Sequence, residues 1–293
     1  LTLEKLLRPV LQPFLDTTTS LEEARYAIFG APLDATASHR SGSRFAPAAI
    51  RRASLTMESY SLRSGLDAED IAIADIGNII GLESVDDLNK IEEAHRLILD
   101  AGKIPVMMGG EHTVSLASLR ALEPDLVVSF DAHMDLRDTL FGEKMSHGTF
   151  MRRAMEKLDF DLVLMGSRAV SREEMEFARS ESRVNVVSSR DLSRGDPEAW
   201  TRALTDWMSV ASSVYVTIDM DVVDPASAPA VGNPSPEGIG VSMLLDLIQA
   251  CMGAKVGGLD LTEVSPHYDS GLTATQAAYI LLESIYFLEK SGL

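Results

Sequence analysis

Four short clusters of carboxylates and imidazoles stand out in this chain of 293 residues. They are Gly109-Gly110-Glu111-His112, Asp131-Ala132-His133-Met134-Asp135, Ser146-His147-Gly148 and Asp219-Met220-Asp221. Their donors are oxygen and imidazole nitrogen with no thiolate, a set that suits hard or borderline divalent metals such as manganese. In an extended strand, residues two apart face the same way. Asp131, His133 and Asp135 therefore converge if strand geometry persists through the motif, and Asp219 and Asp221 do the same. His112, after an apolar run of its own, completes a set of six candidate ligands. One catalytic zinc takes about three protein ligands plus water. Six fit a pair of metals bridged by carboxylates, which polarises a water and clamps a substrate. For any single Asp, the competing reading is a helix cap after a parallel strand. The set as a whole, gathered at the ends of apolar runs, favours the metals.

Those runs are the elements that must position the ligands. They fall at 27–29, 71–73, 104–108, 126–130, 162–165, 184–187, 214–218 and 256–259. Near-continuous apolar runs suit strands buried on both faces of a parallel sheet. The segments between them read helical. Residues 87–101 place Leu88, Ile91, Ala94, Leu97 and Ile98 at helical spacing, closed by Gly102. Residues 197–210 open with an Asp196 cap and proline in the first turn. Residues 273–288 form a third strong helix. This alternation predicts an α/β protein: a three-layer α/β/α sandwich with a central, mostly parallel, eight-stranded sheet. With no linker or repeat, residues 1–293 read as one domain. Ligands in such sheets gather beyond the carboxyl ends of strands. His112, Asp131, Asp219 and Glu263 follow four such ends.

Composition excludes several classes. A length of 293 residues with 45% hydrophobic content supports a sizeable core. No apolar run approaches the roughly 18 residues of a membrane-spanning helix. The opening Leu1-Thr2-Leu3-Glu4-Lys5-Leu6-Leu7-Arg8 lacks the succession of a secretory signal, so a cytoplasmic location is expected. The net charge of −18 repels phosphate backbones and disfavours nucleic acid, while modestly attracting a cationic substrate. Cys251, the single cysteine, sits in an apolar stretch and reads as a buried small hydrophobe. His39 and His95 read as surface residues, His267 as a candidate for the pocket wall, and Asp224 as a structural hydrogen-bonder.

Gly-Gly-Glu-His, Asp-Ala-His-x-Asp, Ser-His-Gly and Asp-x-Asp-x-x-Asp-Pro, in this order, resemble the ureohydrolases, that is, arginases, agmatinases and relatives. The resemblance runs from about Phe29 to Glu283. It implies the arginase-like fold, two Mn2+ per subunit, hydrolysis of a guanidine to urea and an amine, and a homotrimer or hexamer. It also implies roles. His112 and Asp135 would hold one metal, His133 and Asp221 the other, and Asp131 and Asp219 would bridge both. His147 matches the acid/base histidine that protonates the leaving amine. Glu263 matches the glutamate that pairs with the guanidinium. Asp221 or its neighbour would steer a proton. The 31–47 loop resembles a family loop that shapes the pocket rim or subunit packing, with Ala46 where glycine is usual.

The substrate follows from departures within the family. Where arginases carry an asparagine for the α-carboxylate, this chain has Arg137, and 166–171 lacks the acids that read an α-amino group. The strings around Asp135-Leu136-Arg137-Asp138 and Gly142-Glu143-Lys144 look like archaeal-type agmatinases. Agmatine, giving putrescine and urea, is therefore the expected substrate, with Asp138 and Glu143 candidates for its far ammonium. Arg137 favours instead a guanidino acid such as guanidinobutyrate or guanidinopropionate, or else pairs with Asp138. Thr113 and Val231-Gly232-Asn233-Pro234 also depart from the family pattern without touching a candidate ligand. Two readings of other classes remain: a non-catalytic metal-binding relative, and a deacetylase-like amide hydrolase with one zinc.

Overall fold

The computed structural model describes residues 2–253 and 255–292. Its strands are β1 (Leu7–Arg8), β2 (Tyr26–Ala31), β3 (Ile73–Ile79), β4 (Ile104–Gly109), β5 (Leu126–Phe130), β6 (Asp161–Ser167), β7 (Val184–Ser188), β8 (Val214–Asp219) and β9 (Val256–Thr262). They form one sheet in the order β1-β3-β2-β4-β9-β8-β5-β6-β7. Strands β2 to β9 run parallel and correspond to the eight apolar runs. The ninth strand among the described residues, β1, corrects the count of eight. Its two residues pair antiparallel with β3 at the edge, too short to leave a periodic signal.

One layer holds α2 (Ala46–Ser54), α7 (Ser189–Arg194), α8 (Pro197–Val210), α9 (Val241–Cys251) and α10 (Leu272–Ser291). The other holds α1 (Leu3–Leu6), α3 (Leu88–Asp100), α4 (Ser115–Leu122), α5 (Phe150–Met155) and α6 (Arg172–Ser180). Each layer buries its own apolar cluster against one face of the sheet, which is why the strand runs are apolar throughout. The predicted helix boundaries hold closely. Asp196 caps α8 by accepting from the Glu198 N–H, and Gly102 follows α3 with φ +72°. Cys251 is buried and unpaired, and His39 is exposed.

Two expectations need correction. His95 is fully buried, because it continues the Ile91 stripe one turn on and packs its ring by Phe29 and Tyr215. Spacing outranked side-chain polarity there. Strand β3 begins where the 71–73 run ends and continues through Asp75 and Asn78. Arg51 of α2, 2% exposed, neutralises that polar stretch with bonds to both Asp75 oxygens (2.6 and 2.8 Å) and to Asn78 (2.6 Å). A buried ion pair needs such complete satisfaction.

Candidate metal centre

The parallel register delivers the site. Phe130 of β5 lies beside Ile218 of β8, so Asp131 and Asp219 leave the sheet side by side. Asp219 lies beside Thr262 of β9, so Glu263 comes next. The Glu263 N–H donates to the Gly110 carbonyl at 2.8 Å, which ties β9 to the turn carrying His112. Four adjacent central strands (β4, β9, β8 and β5) thus end at one place.

All six candidate ligands meet there. The His112 Nδ1 faces Asp131 Oδ2 at 3.0 Å, Asp135 Oδ2 at 3.3 Å and Asp219 Oδ2 at 3.4 Å. The His133 Nδ1 faces Asp221 Oδ2 at 2.9 Å and Asp131 Oδ1 at 3.5 Å. Two overlapping donor groups result: His112, Asp131 and Asp219, then Asp131, His133 and Asp221. Asp131 offers one oxygen to each, which is the geometry of a bridging carboxylate.

Strand geometry does not persist through the motif. Strand β5 stops at Phe130, and Asp135 has a left-handed φ of 54°. Convergence comes from turns instead. Asp131 Oδ1 accepts the His133 N–H (2.6 Å), and Asp219 Oδ1 accepts the Asp221 N–H (2.7 Å). The capping reading therefore holds for both without excluding them as ligands: Asp219 holds its turn with Oδ1 and faces His112 with Oδ2, while Asp131 Oδ1 both holds its turn and faces His133.

The cluster packs four carboxyl groups against two imidazoles. Asp131, Asp135, Asp219 and Asp221 are all buried. Burial, with Asp131 nearby, pushes the Asp135 carboxyl up to about 7. Burial, Asp221 and Asp131 push Asp219 well above the carboxylate range. Burial opposes charge on Asp131, but the His112 and His133 rings prevail and hold its carboxyl low. Burial likewise opposes charge on His112, yet its three carboxylate neighbours prevail and raise it well above its ordinary value. The His112 Nδ1 is buried without a well-formed hydrogen bond. Packed carboxylates around an orphaned nitrogen fit divalent cations, and the residues present suit two of them.

His147 and Glu263 flank the cluster. The His147 N–H donates to Thr36 Oγ1 at 3.0 Å, and its ring Nε2 is buried and unpartnered. Burial, then the charge of His133, hold His147 down at about 4. Glu263 has a φ of 66°, a strained value of the kind that collects at functional sites. Its Oε1 accepts the His112 N–H at 2.8 Å. Burial, with Glu111 and Asp221 nearby, pushes its carboxyl up to about 8 against that bond.

The remaining candidates lie further out. Asp138 binds Arg153 at 2.9 Å, so the alternative of an Arg137–Asp138 pair is not what forms. Arg137 instead makes a long contact of 3.7 Å with Glu174, whose carboxylate already serves the Ser171 capping box. Glu143 sits exposed at the end of a tight turn with Leu140. His267 is exposed and packs edge-on to Phe45, which places it on the rim with the 34–45 loop. Asp224 is structural: it accepts the Ala226 and Gly238 N–H groups.

Two residues escaped the sequence reading. Glu111, quoted only as part of its motif, accepts from the Thr36 N–H (2.6 Å) and hydroxyl (2.8 Å). The Thr36 oxygen in turn accepts the His147 N–H, so Glu111 anchors the acid/base candidate through one loop residue. An acid beside a ligand histidine was the available signal; Thr36 left none.

Comparison with known proteins adds a family to this fold. Residues 24–286 match the Arginase family. The chain belongs to that family. It is 34% identical to an agmatinase of Pyrococcus horikoshii, over 90% of this chain and 92% of the relative. It is also 34% identical to a guanidinobutyrase of Pseudomonas aeruginosa, over 94% of this chain and 90% of the relative. The crystal structure of agmatine ureohydrolase of Thermoplasma volcanium superposes with a TM-score of 0.86 at 35% identity, covering 96% of each chain. This Arginase-family chain shares their arrangement of a mostly parallel sheet between helical layers.

Proposed function

We propose that this chain hydrolyses the guanidino C–N bond of agmatine, giving urea and putrescine, with two manganese ions as cofactor. The bridging geometry of Asp131 carries the reading, because one carboxylate shared between two donor groups is the signature of a paired-cation site. His112 and Asp135 would hold one ion, His133 and Asp221 the other, with Asp131 and Asp219 between them. When bound, such a pair supplies Lewis acidity and a water activated at neutral pH.

The chain's own groups do the rest. Glu263, kept near neutrality by burial, ionises beside a guanidinium and pairs with it in a fork. Water adds to the guanidinium carbon, and the C–N bond to the amine breaks. His147, a neutral ring with an unpartnered Nε2, takes up the proton released as water adds and passes it from Nε2 to the departing nitrogen. Asp221, whose Oδ1 accepts the Ala132 N–H, is fixed in place to steer the incoming proton.

One observation favours a second reading. Asp138 is occupied by Arg153, whereas Arg137 makes only a 3.7 Å contact with Glu174, which leaves its guanidinium available to an anion. A guanidino acid would use it. The experiment is urea release with manganese from agmatine, arginine, guanidinobutyrate and guanidinopropionate. Agmatine should give the highest kcat/KM by about tenfold or more, a margin of roughly 1.4 kcal/mol. A guanidino acid in first place transfers the assignment to Arg137, and no urea from any of the four defeats the hydrolase reading. No helix among the described residues is long and apolar enough to cross a membrane. The reading extends to a cytoplasmic homotrimer or hexamer, which sedimentation velocity tests.

A further inference from the structure

Behind His112, on the side away from the carboxylates, lies a buried polar chain that the reaction does not use. The His112 Nε2 is 2.8 Å from Thr217 Oγ1. The Thr217 hydroxyl donates to Asp260 Oδ1 at 2.5 Å, and the Tyr215 hydroxyl donates to Asp260 Oδ2 at 2.7 Å. Tyr215, Thr217 and Asp260 each have 0% exposure, and His112 has 1%. The sheet builds this chain. Thr217 of β8 lies directly beside Asp260 of β9, and Tyr215, two residues before Thr217, shares its face.

With Asp260 ionised, the bonds run one way along this chain. A hydroxyl has one proton, and Thr217 gives its proton to Asp260. Its oxygen then only accepts, so the His112 ring donates from Nε2. A neutral imidazole with its proton on Nε2 has a bare lone pair on Nδ1. Nδ1 is the atom that faces Asp131, Asp135 and Asp219 and lacks a well-formed hydrogen bond.

We infer that Asp260, acting through Thr217, fixes the ring proton of His112 on Nε2 and so keeps Nδ1 available to a cation. Asp260 and Thr217 are positioning residues: neither touches substrate or ion. The inference rests on the paired-cation reading, and it adds that the two metal positions are unequally dependent on the protein behind them. Among the described residues, the His112 position has this support and the His133 position shows none like it. The His133 ring is 28% exposed, and its bonds run to Asp131 and Asp221 within the cluster.

Asparagine at 260 keeps the shape but offers an N–H to the Thr217 oxygen. The hydroxyl can then turn toward Nε2, which places the ring proton on Nδ1 and blocks the donor. Valine at 217 keeps the shape and removes the link. Serine at 217 keeps the link.

The test is manganese titration by calorimetry on the metal-stripped full chain, with a thermal melt on each variant. Asp260→Asn and Thr217→Val should weaken one of the two sites about 10- to 100-fold and leave the other within about threefold. Thr217→Ser should restore that site to near the parent value. Unchanged affinity at both sites in Asp260→Asn and Thr217→Val overturns the inference. So does an equal loss at both sites with a lowered Tm, which marks a merely structural role. Should Asp260→Asn fail to fold, Thr217→Val against Thr217→Ser decides. Failure of the function reading looks different: the parent chain itself would bind fewer than two ions, or release no urea while the site-selective loss persists.

Discussion

Replacing Gly232 with alanine should separate substrate binding from metal binding. Gly232 does not have a left-handed φ, so its backbone accepts alanine. A methyl group there would sit 2.7 Å from Glu263 Oε2, where ordinary contact starts at 3.4 Å. The carboxylate must therefore swing away. It cannot simply leave, because Oε1 is tethered to the His112 N–H and the side chain is only 6% exposed. The outcome is a carboxylate held in a displaced position. Displacement of a positioning group by about 1 Å costs up to about 100-fold. A fall in kcat/KM of roughly 30- to 100-fold is expected, equal to about 2–3 kcal/mol of transition-state stabilisation. The metal ligands do not move in this scheme. Steady-state urea release should thus collapse while manganese stoichiometry stays at the parent value. A kcat/KM within threefold of the parent would show that Glu263 does not hold the substrate. Loss of manganese instead would show that the methyl group disturbs the metal centre, refuting the proposed separation.

Other perturbations probe different parts of the site and core. Asp131→Ala removes the shared carboxylate, so manganese content and turnover should fall together; unchanged metal content would rule out a bridge. His147→Ala should keep both ions and lose about 10²- to 10⁴-fold in kcat, the usual range for a positioned acid/base group; a change below threefold would remove His147 from the chemistry. His95 offers a stability test away from the metals. Burial lowers it from 6.5 to about 3, so the unfolded chain binds a proton that the folded core refuses. Its contribution to stability is intact above pH 6.5 and is lost progressively as pH falls toward 3. Between pH 7 and pH 4, denaturant titration should show the parent losing about 2–4 kcal/mol more than His95→Leu. Equal losses would mean that His95 is not a buried neutral ring.

The sequence carried much of this, and the exceptions share a physical cause. Helix α3 was legible from apolar spacing closed by Gly102, and α8 from its Asp196 cap and first-turn proline. The six candidate donors were legible because they recur at the ends of apolar runs. What stayed hidden depends on partners far along the chain. Arg51 makes Asp75 and Asn78 acceptable inside β3, and neither end of that pairing shows in a local window. Strand β1 exists only through its partner β3. Thr36, Thr217 and Asp260 matter through hydrogen bonds across 75, 105 and 43 positions of sequence, and such isolated polar side chains have no period to read. The turn at Asp135 also reversed a premise: the donors converge because the strand stops, with the aspartates themselves capping the turns that gather them.

Anomalous diffraction at the manganese edge, from crystals of this chain grown with manganese, addresses the paired-cation centre directly. The account predicts two peaks about 3.5–4 Å apart. One should lie against His112 and Asp135, the other against His133 and Asp221, with Asp131 reaching both. A single peak, or ions bound away from Asp131, would contradict it.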